Sequence, residues 1–216
     1  ALGNGGLLGG RFGKRLPAPK KETLNHTFGF CAIFISVTLM VKMHALAPVV
    51  LSVVLGAVLG ELLHLEDTLQ KLFARKFTAR FYGGEEPDAA RDNTFRAVAV
   101  LFCCSGTGWY GALNEGFTGD SSILLTKAIL DFFTAVIFAA ALGRRASLLA
   151  VPQLLIFLVF FGVSRLVGPL LSPEMLADFS AVGGVVELAS GMRITGIKRD
   201  TKVLNLVPAM LLVFPV

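Results

Sequence analysis

Long apolar runs, separated by short polar segments, set the pattern of the chain. After an apolar start at residues 1–10, runs follow at 24–43, 46–63, 94–113, 121–142, 146–168, 175–195 and 203–216. A helix needs about 20 apolar residues to cross a bilayer, and it satisfies its own backbone groups, whereas a lone strand would expose its edge to lipid. The pattern therefore predicts an all-α polytopic membrane protein with about eight transmembrane helices, the first of them truncated.

An amphipathic segment lies between the third and fourth predicted spans. Its apolar side chains recur at helical spacing, and basic side chains occupy positions between them. We expect an interfacial helix on the cytoplasmic membrane surface, followed by an acidic, breaker-rich loop at 83–88. The alternative is that the third span continues into water. The apolar positions are Leu62, Leu65, Leu69, Leu72, Phe73 and Phe77.

Positive charge marks every second loop of the predicted bundle. All but three of the 20 Lys and Arg residues fall at 11–21, 71–96, 144–145 and 193–202. Because Lys and Arg are retained on the cytoplasmic side of a membrane, the alternation places these four segments inside. Both the N-terminus and the C-terminus of the chain are then expected outside.

Composition narrows the class of protein. A mean hydropathy of +0.71 with 54% apolar residues is too apolar for a soluble domain. The net charge of +5 fits loops that meet anionic lipid headgroups, so we expect the lipid bilayer as a partner and no nucleic acid. The cysteines lie inside apolar runs, and no metal-ligand spacing, phosphate-binding loop or nucleophile–base pair is recognisable. We therefore expect no enzyme, no cofactor and no metal.

Glycine recurs at every fourth position in two spans, a spacing that lets helix backbones approach closely. The favoured interpretation is packing inside one protomer, and the alternative is a homo-oligomer held together by these faces. The residues are Gly5, Gly9 and Gly13 in the first span, and Gly56 and Gly60 in the third.

A weak internal repeat emerges when the sequence is shifted by 154 residues. It predicts inverted copies at 1–63 and 146–216, which flank an interfacial segment and loop at 64–93 and a central pair of spans at 94–142, all in a single transmembrane domain, 1–216. Inverted repeats are typical of secondary transporters; the alternative is a coincidental alignment. The matched pairs are Pro19 with Pro173, Gly29 with Gly183, Ser36 with Ser190, and Leu16 with Leu170.

The fifth span contains charged side chains. Lys127, Asp131 and Thr134 share one helical face because they lie four and seven positions apart. An ionised side chain in the bilayer costs about 3 kcal/mol unless it pairs or reaches water. Either Lys127 and Asp131 neutralise each other as a structural pair, or Asp131 binds a coupling cation or a substrate amine in a cavity.

A carboxylate without a partner at helical spacing lies in the seventh span. Glu187 belongs to a stripe of small and polar residues that includes Ser190, and Ser36 is the counterpart of Ser190 in the repeat. Glu187 either changes its protonation at the midplane, as proton-coupled transport would need, or stays neutral and hydrogen-bonded to a neighbouring helix.

The segment 103–120 is rich in glycine and hydroxyl residues and includes Asn114 and Glu115. The simpler prediction is an ordinary span end followed by an external turn. The alternative is a broken helix whose backbone faces a solute. In that case Asn114 and Glu115 join Lys127 and Asp131 along a pathway.

Five motifs, in the same order, resemble the YdfK/YqgA-like family of membrane proteins, a family named as a domain of unknown function. The resemblance implies a bacterial inner-membrane protein with a transport role, and it assigns no substrate-binding residue. That family usually has an apolar residue at the position of Glu187, so no family-wide role is implied there. The motifs are Gly-Arg-Phe-Gly-Lys-Arg-Leu-Pro at 10–17, Leu-Gly-Ala-Val-Leu-Gly-Glu-Leu-Leu at 55–63, Gly-Ala-Leu-Asn-Glu-Gly at 111–116 with Thr-Gly-Asp at 118–120, Lys-Ala-Ile-Leu-Asp at 127–131 and Ser-Ala-Val-Gly-Gly at 180–184.

The leading hypothesis is a secondary transporter or exporter of a small polar solute or ion, with a proton or sodium as the coupling ion. The alternative is a non-transporting membrane scaffold or assembly partner that associates through its glycine faces and interfacial helix.

Overall fold

The computed structural model of the protein describes residues 3–4, 18–69, 71–72, 95, 98–99, 102–103, 105–198 and 200–214. In this part of the chain the secondary structure is helical throughout, without a strand. Segments of 3₁₀-helix occupy Gly143–Leu149, Gly168–Leu170 and Val203–Leu206. The α-helices are α1 (Ala18–Met40), α2 (Leu46–Leu62), α3 (Gly106–Thr118), α4 (Ser122–Leu142), α5 (Ala150–Val167), α6 (Pro173–Thr195) and α7 (Ala209–Leu212).

Helix α6 is the most enclosed of the long helices, and α1 packs along it in the antiparallel direction. Glycines allow the close approach. A Cβ atom on Gly29 would lie 2.9 Å from the carbonyl oxygen of Gly191, and one on Gly184 would lie 2.8 Å from that of Ser36. Real Cβ atoms do not come this near to backbone, so larger residues at these positions would push the two helices apart.

Helix α2 uses its glycine face inside the protomer. A Cβ atom on Gly56 would overlap the backbone of Ala209, and one on Gly60 would overlap that of Asn205. These contacts run in opposite directions along the two segments, so α2 and residues 203–212 are antiparallel neighbours. The glycines of the predicted first span, Gly5, Gly9 and Gly13, lie outside the described residues.

The predicted fourth span, 94–113, is not a continuous helix. The described residues before the break, at 95, 98–99 and 102–103, are helical, but Ser105 has an extended backbone with φ −79° and ψ 121°. Helix α3 then begins at Gly106 and passes Leu113 to end at Thr118, where Gly119 closes it with φ 75°. The helix thus ends at a turn, as expected, but five residues beyond Leu113, and it is also interrupted at Ser105, where glycine at positions 106 and 108 weakens it.

Two further segments differ from one continuous helix. The alternative in which the third span simply continues is contradicted: α2 ends at Leu62, and His64, with φ 46°, separates it from a second helical stretch at 65–69. The interfacial segment beyond residue 72 lies outside the described residues. The last apolar run, 203–216, is interrupted in its described part, because Pro208 separates the 3₁₀ turn at Val203–Leu206 from the short α7.

Helices of membrane-spanning length and composition are present. In the described part of the chain, Ser122–Ala139, Ala146–Leu170 and Pro173–Thr195 are long and apolar enough to cross a bilayer, and His26–Met40, Leu46–Leu62 and Val203–Leu212 are shorter apolar stretches. Two helices expose continuous apolar faces of a size that suits lipid. The exposed side chains include Val50, Leu51, Val54, Leu55, Val58 and Leu59 on α2, and Val151, Leu154, Leu155, Leu158, Val159 and Val163 on α5.

The helix directions define two ends of the bundle. At the first, which we name the basic end, α1 begins and α2 and α6 finish, as the contacts of Gly29 with Thr195 and of Glu66 with Arg193 show. At the opposite end lie the turns at 41–45, 119–121 and 168–172. There Asp178 Oδ1 accepts hydrogen bonds from the backbone N–H groups of His44 and Ala45, both at 2.8 Å, and so ties the start of α6 to the turn between α1 and α2.

Candidate functional site

Three polar side chains from two helices meet inside the bundle. Lys127 and Asp131 lie one turn apart on α4, and the Lys127 ammonium donates a hydrogen bond to Asp131 Oδ1. Gln153, near the start of α5, donates from Nε2 to the other carboxylate oxygen, Oδ2. Each of the three is only 6% exposed. We name this cluster the polar centre; both oxygens of its carboxylate are bound, so the pair is compensated as a buried ion pair requires.

The break in the fourth run lies beside the polar centre. The Lys127 Nζ atom is 5.7 Å from the centroid of the Phe102 ring, which precedes the break and faces the cation with its π electrons. Gly108, just after the break, lies against the side chain of Lys127: a Cβ there would be 3.3 Å from Lys127 Cε. Trp109 Nε1 donates to the carbonyl oxygen of Cys103 at 2.8 Å, so the two halves of the broken run are held together.

Glu187 enters the same region from α6. It is 1% exposed, and neither of its carboxylate oxygens accepts a hydrogen bond of normal geometry from a described residue. The Thr107 hydroxyl, in the first turn of α3, and the Lys127 ammonium are the polar groups that interact electrostatically with its carboxylate. A buried carboxylate without a donor is costly as an anion, so this position favours a carboxyl group that gains or shares a proton.

A row of polar groups connects this region with the opposite end. The Tyr110 hydroxyl donates to Asn114 Oδ1 at 3.3 Å, and Asn114 Nδ2 donates to the carbonyl oxygen of Asp120 at 3.2 Å. Asp120 lies on the surface between α3 and α4. Its carboxylate accepts bonds from the side chain and the backbone N–H of Ser122, and these bonds hold the pKa of Asp120 below its usual range.

Several predicted site residues are placed elsewhere. Ser36 and Ser190 donate to carbonyl oxygens of their own helices, those of Ile33 and Val186, at 2.6 and 3.0 Å. Thr134 is half-buried one turn beyond Asp131. Glu115 has one buried carboxylate oxygen, Oε2, without a hydrogen-bond partner in the described structure. Among the described residues no cluster of His, Cys, Asp or Glu side chains could hold a metal ion.

A second charged cluster joins two distant segments at the basic end. Glu66 Oε1 binds Arg193 Nη1 at 2.7 Å, and Oε2 accepts the N–H of Leu204 at 3.2 Å. The N–H of Glu66 donates to Asn205 Oδ1 at 2.9 Å. We name this group, together with the neighbouring pair of Asp67 and Lys202, the basic-end clasp. It fastens the chain after α2 to the chain after α6.

The exposed pair in the clasp depends on pH. The hydrogen bond from Lys202 to Asp67, at 3.0 Å, lowers the pKa of Asp67 and raises the pKa of Lys202. The contribution of Asp67 to the stability of the fold is present above its ordinary pKa and is lost as the pH falls through the lowered pKa. That of Lys202 is complete below its ordinary pKa and is lost as the pH rises through the raised value. The pair therefore acts across the neutral range, and because it is exposed its effect is small.

Sequence reasoning missed residues whose partners lie on other helices. Gln153 is the one amide in the apolar stretch from 148 to 163, and that isolation is a signal that could have found it. Tyr110 gave no signal beyond its place in a polar-rich segment. Glu66 and Arg193 each looked like an ordinary charge at a helix end, because nothing local relates residues so far apart in the sequence.

Comparison with known proteins assigns the chain to a protein family. Residues 1–216 match the family described as "Protein of unknown function (DUF554)". The chain belongs to this family. It is 42% identical over 212 residues to the "Uncharacterized protein YqgA" of Escherichia coli (strain K12), which covers 98% of this chain and 90% of that protein. It is 24% identical over 215 residues to the "Uncharacterized membrane protein YdfK" of Bacillus subtilis (strain 168), which covers 96% and 88%. No solved structure matches the chain. The resemblance found in the sequence motifs is confirmed, and the protein is a membrane protein.

Proposed function

We propose that this protein is a secondary transporter that moves a small polar solute or ion across the bacterial inner membrane. The polar centre is its binding site: Asp131 binds the cationic group of the cargo or coupling ion, Lys127 offsets the carboxylate when the site is empty, and Gln153 orients it. The single observation that carries the proposal is a buried, charged cluster at a break in a helix of the transmembrane bundle. Broken helices supply the polar backbone that solute sites in transporters use.

The helix pairs support the inverted arrangement that alternating access uses. Helices α1 and α6 are both 23 residues long, and their starts and ends are separated by the same interval, within one residue of the shift in the sequence repeat. They are antiparallel neighbours, as are α2 and residues 203–212. The last pair departs from this symmetry: α2 is a helix of 17 residues, whereas its counterpart is interrupted at Pro208.

We further propose that the basic end faces the cytoplasm, by the retention of Lys and Arg on that side. In a cysteine-free background, single cysteines at Lys20, Arg145 and Lys198 are expected to react with an impermeant maleimide only from the cytoplasmic side. Cysteines at Ser121 and Ser172 are expected to react only from outside. Labelling of any of these positions from the other side would contradict this orientation and the inverted repeat with it.

The binding role is tested with a panel of cations, amino acids and small organic acids on purified protein. At least one member is expected to raise the thermal unfolding midpoint of the wild type and to evoke a current when proteoliposomes on a solid-supported membrane are exposed to it. The double variant Lys127→Met with Asp131→Asn is expected to remain folded, because no net charge stays buried, and to lose both responses.

A control variant removes a buried hydroxyl far from the site. Ser52 on α2 donates to the carbonyl oxygen of its own helix, that of Val49, at 2.9 Å, and Ser52→Ala is expected to respond as the wild type does. If the double variant keeps the wild-type response, the polar centre is not the binding site. If no member of the panel acts on the wild type either in binding or in current, the transport proposal fails.

A further inference from the structure

We propose that Glu187 takes up a proton from the opposite end of the bundle, along a path lined by Asn114, Tyr110 and Ser180, and not from the basic end. The inference rests on the proposed transport function, and it names the coupling ion and the side from which that ion arrives. Glu187 lies on α6 and is not part of the polar centre, whose residues lie on α4 and α5.

The path follows the contact between α3 and α6. These helices are antiparallel: the Tyr110 ring lies on Gly183, where any Cβ atom would overlap it, and Phe117 meets Phe179 nearer the opposite end, with ring centroids 5.1 Å apart. Glycine at position 183 therefore leaves a polar phenol between Ser180 and Glu187. The Ser180 hydroxyl donates to its own helix, to the Leu176 carbonyl at 2.8 Å, and its oxygen stays available to the Tyr110 hydroxyl.

The charges around the path suit a proton. Asp120 is an anion at the surface, and its carboxylate and that of Glu187 both act on the Tyr110 phenol. Lys127 of α4 is the charged side chain that acts on Glu187 from a neighbouring helix. The stretch of α1 that packs on α6 at this level, around Ile33, has the Cys31 thiol as its one ionisable group, and the short α7 has none. An anionic mouth attracts cations, and a proton that binds covalently to Glu187 needs no coordination shell of several oxygen ligands, as a metal cation would.

On its α1 side, the described structure encloses Glu187 toward the basic end. There α6 packs closely on α1 through the contacts of Gly191 and Thr195 with Gly29, and the basic-end clasp lies beyond them. The Ser190 hydroxyl is turned to the Val186 carbonyl of its own helix. Among the described residues, the row of hydrogen-bonded polar groups that leads to a surface is that of Tyr110, Asn114 and Asp120 at the opposite end.

Proton movement along this path conserves both atoms and charge. In the proposed step, a hydronium ion at the mouth beside Asp120 passes its proton to water that enters beside the Asn114 amide and the Tyr110 hydroxyl. Successive water molecules each accept one proton and release another. The last gives its proton to a carboxylate oxygen of Glu187, which forms an O–H bond and becomes neutral. One positive charge has then moved from the surface to Glu187, and no electron transfer takes place.

The first test labels Glu187 with dicyclohexylcarbodiimide, which adds to buried protonated carboxyl groups, and quantifies the adduct on the Glu187 peptide by mass spectrometry. The protein is placed in membrane vesicles of a single orientation, which is verified by the reaction of Ser121→Cys with a reagent in the bath. The bath and the vesicle lumen are buffered separately. The labelling rate is expected to fall by up to about tenfold for each unit by which the bath pH is raised, and to stay unchanged when the lumen pH is raised. Dependence on the lumen pH, or no adduct at any pH, would overturn the proposal.

The second test compares two serines of α6 on either side of Glu187. Ser180 and Ser190 are 6% and 8% exposed, and each donates to the carbonyl four residues earlier, so Ser180→Cys and Ser190→Cys are matched substitutions. In a background without native cysteines, Ag⁺ added to the bath is expected to react with the cysteine at 180 at least tenfold faster than with that at 190. After reaction at 180, Glu187 labelling should stop following the bath pH.

Equal rates at the two cysteines, or a faster rate at 190, would overturn the path. These readouts do not require transport. Labelling that follows the bath pH in a protein without any solute current would uphold the path and reject the transporter. A solute current in a protein whose Glu187 labelling follows the lumen pH would uphold the transporter and reject the path.

Discussion

Asp131→Asn alone is expected to lower the thermal unfolding midpoint of the detergent-solubilised protein by on the order of 10 °C, and the added substitution Lys127→Met is expected to restore most of that loss. The single variant leaves the Lys127 ammonium buried without its anion, and breaking a buried pair in this way costs about 3–5 kcal/mol. The double variant removes the burial penalty together with the attraction. Measurement without added ligand separates this effect from binding.

The reciprocal variant serves as the matched control. Lys127→Met leaves Asp131 with the hydrogen bond from Gln153, so its carboxylate keeps one donor and the loss should be smaller than for Asp131→Asn. The three variants complete a double-mutant cycle, whose coupling energy measures the pair directly. A double variant as unstable as Asp131→Asn would show that Lys127 and Asp131 do not compensate each other.

Glu66→Ala is the second substitution with a large expected effect, a loss of about 3 kcal/mol of unfolding free energy. It removes the partner of Arg193 and leaves the N–H of Leu204 without its acceptor. Asp67→Ala, one residue along, removes a carboxylate from the same clasp. The Glu66 side chain is 4% exposed and that of Asp67 is 44% exposed, so we expect the loss at Asp67 to stay below about 1 kcal/mol.

Thermal unfolding of both variants in one detergent gives the comparison. If Asp67→Ala cost as much as Glu66→Ala, burial would not be what makes the clasp strong. If neither variant differed from the wild type, the segments after α2 and α6 would be held together by their apolar contacts alone.

The parts of this protein that could be predicted from its sequence are those set by local periodicity. Lys127 and Asp131 were placed on one helical face, where they do meet, because four residues separate neighbours on that face. The bounds of α4 were close to those expected, because an uninterrupted apolar run marks a span. The Ser105 break was weighed as an alternative, since glycine and hydroxyl residues gather there.

Other features depend on contacts that a linear pattern does not contain. Hydropathy treated residues 203–216 as one span because it counts apolar side chains, and it gives no weight to the interruption at Pro208 or to the packing of Asn205 and Ala209 against the glycines of α2. Gln153 completes the polar centre from another helix, and Glu66 meets Arg193 across most of the chain. Such pairs are decided by how helices pack after they form.

Helix α6 is fastened at both of its ends to the α1–α2 hairpin, by Asp178 at one end and by Arg193 at the other. These three helices and the final segment thus form one mechanical unit, whereas α3, α4 and α5 pack chiefly on one another. The seam between the two units passes between Glu187 and Lys127. A small shift of one unit against the other would change the distance between Glu187 and Lys127. Under the proposal above, the protonation of Glu187 and the geometry of the seam therefore depend on each other.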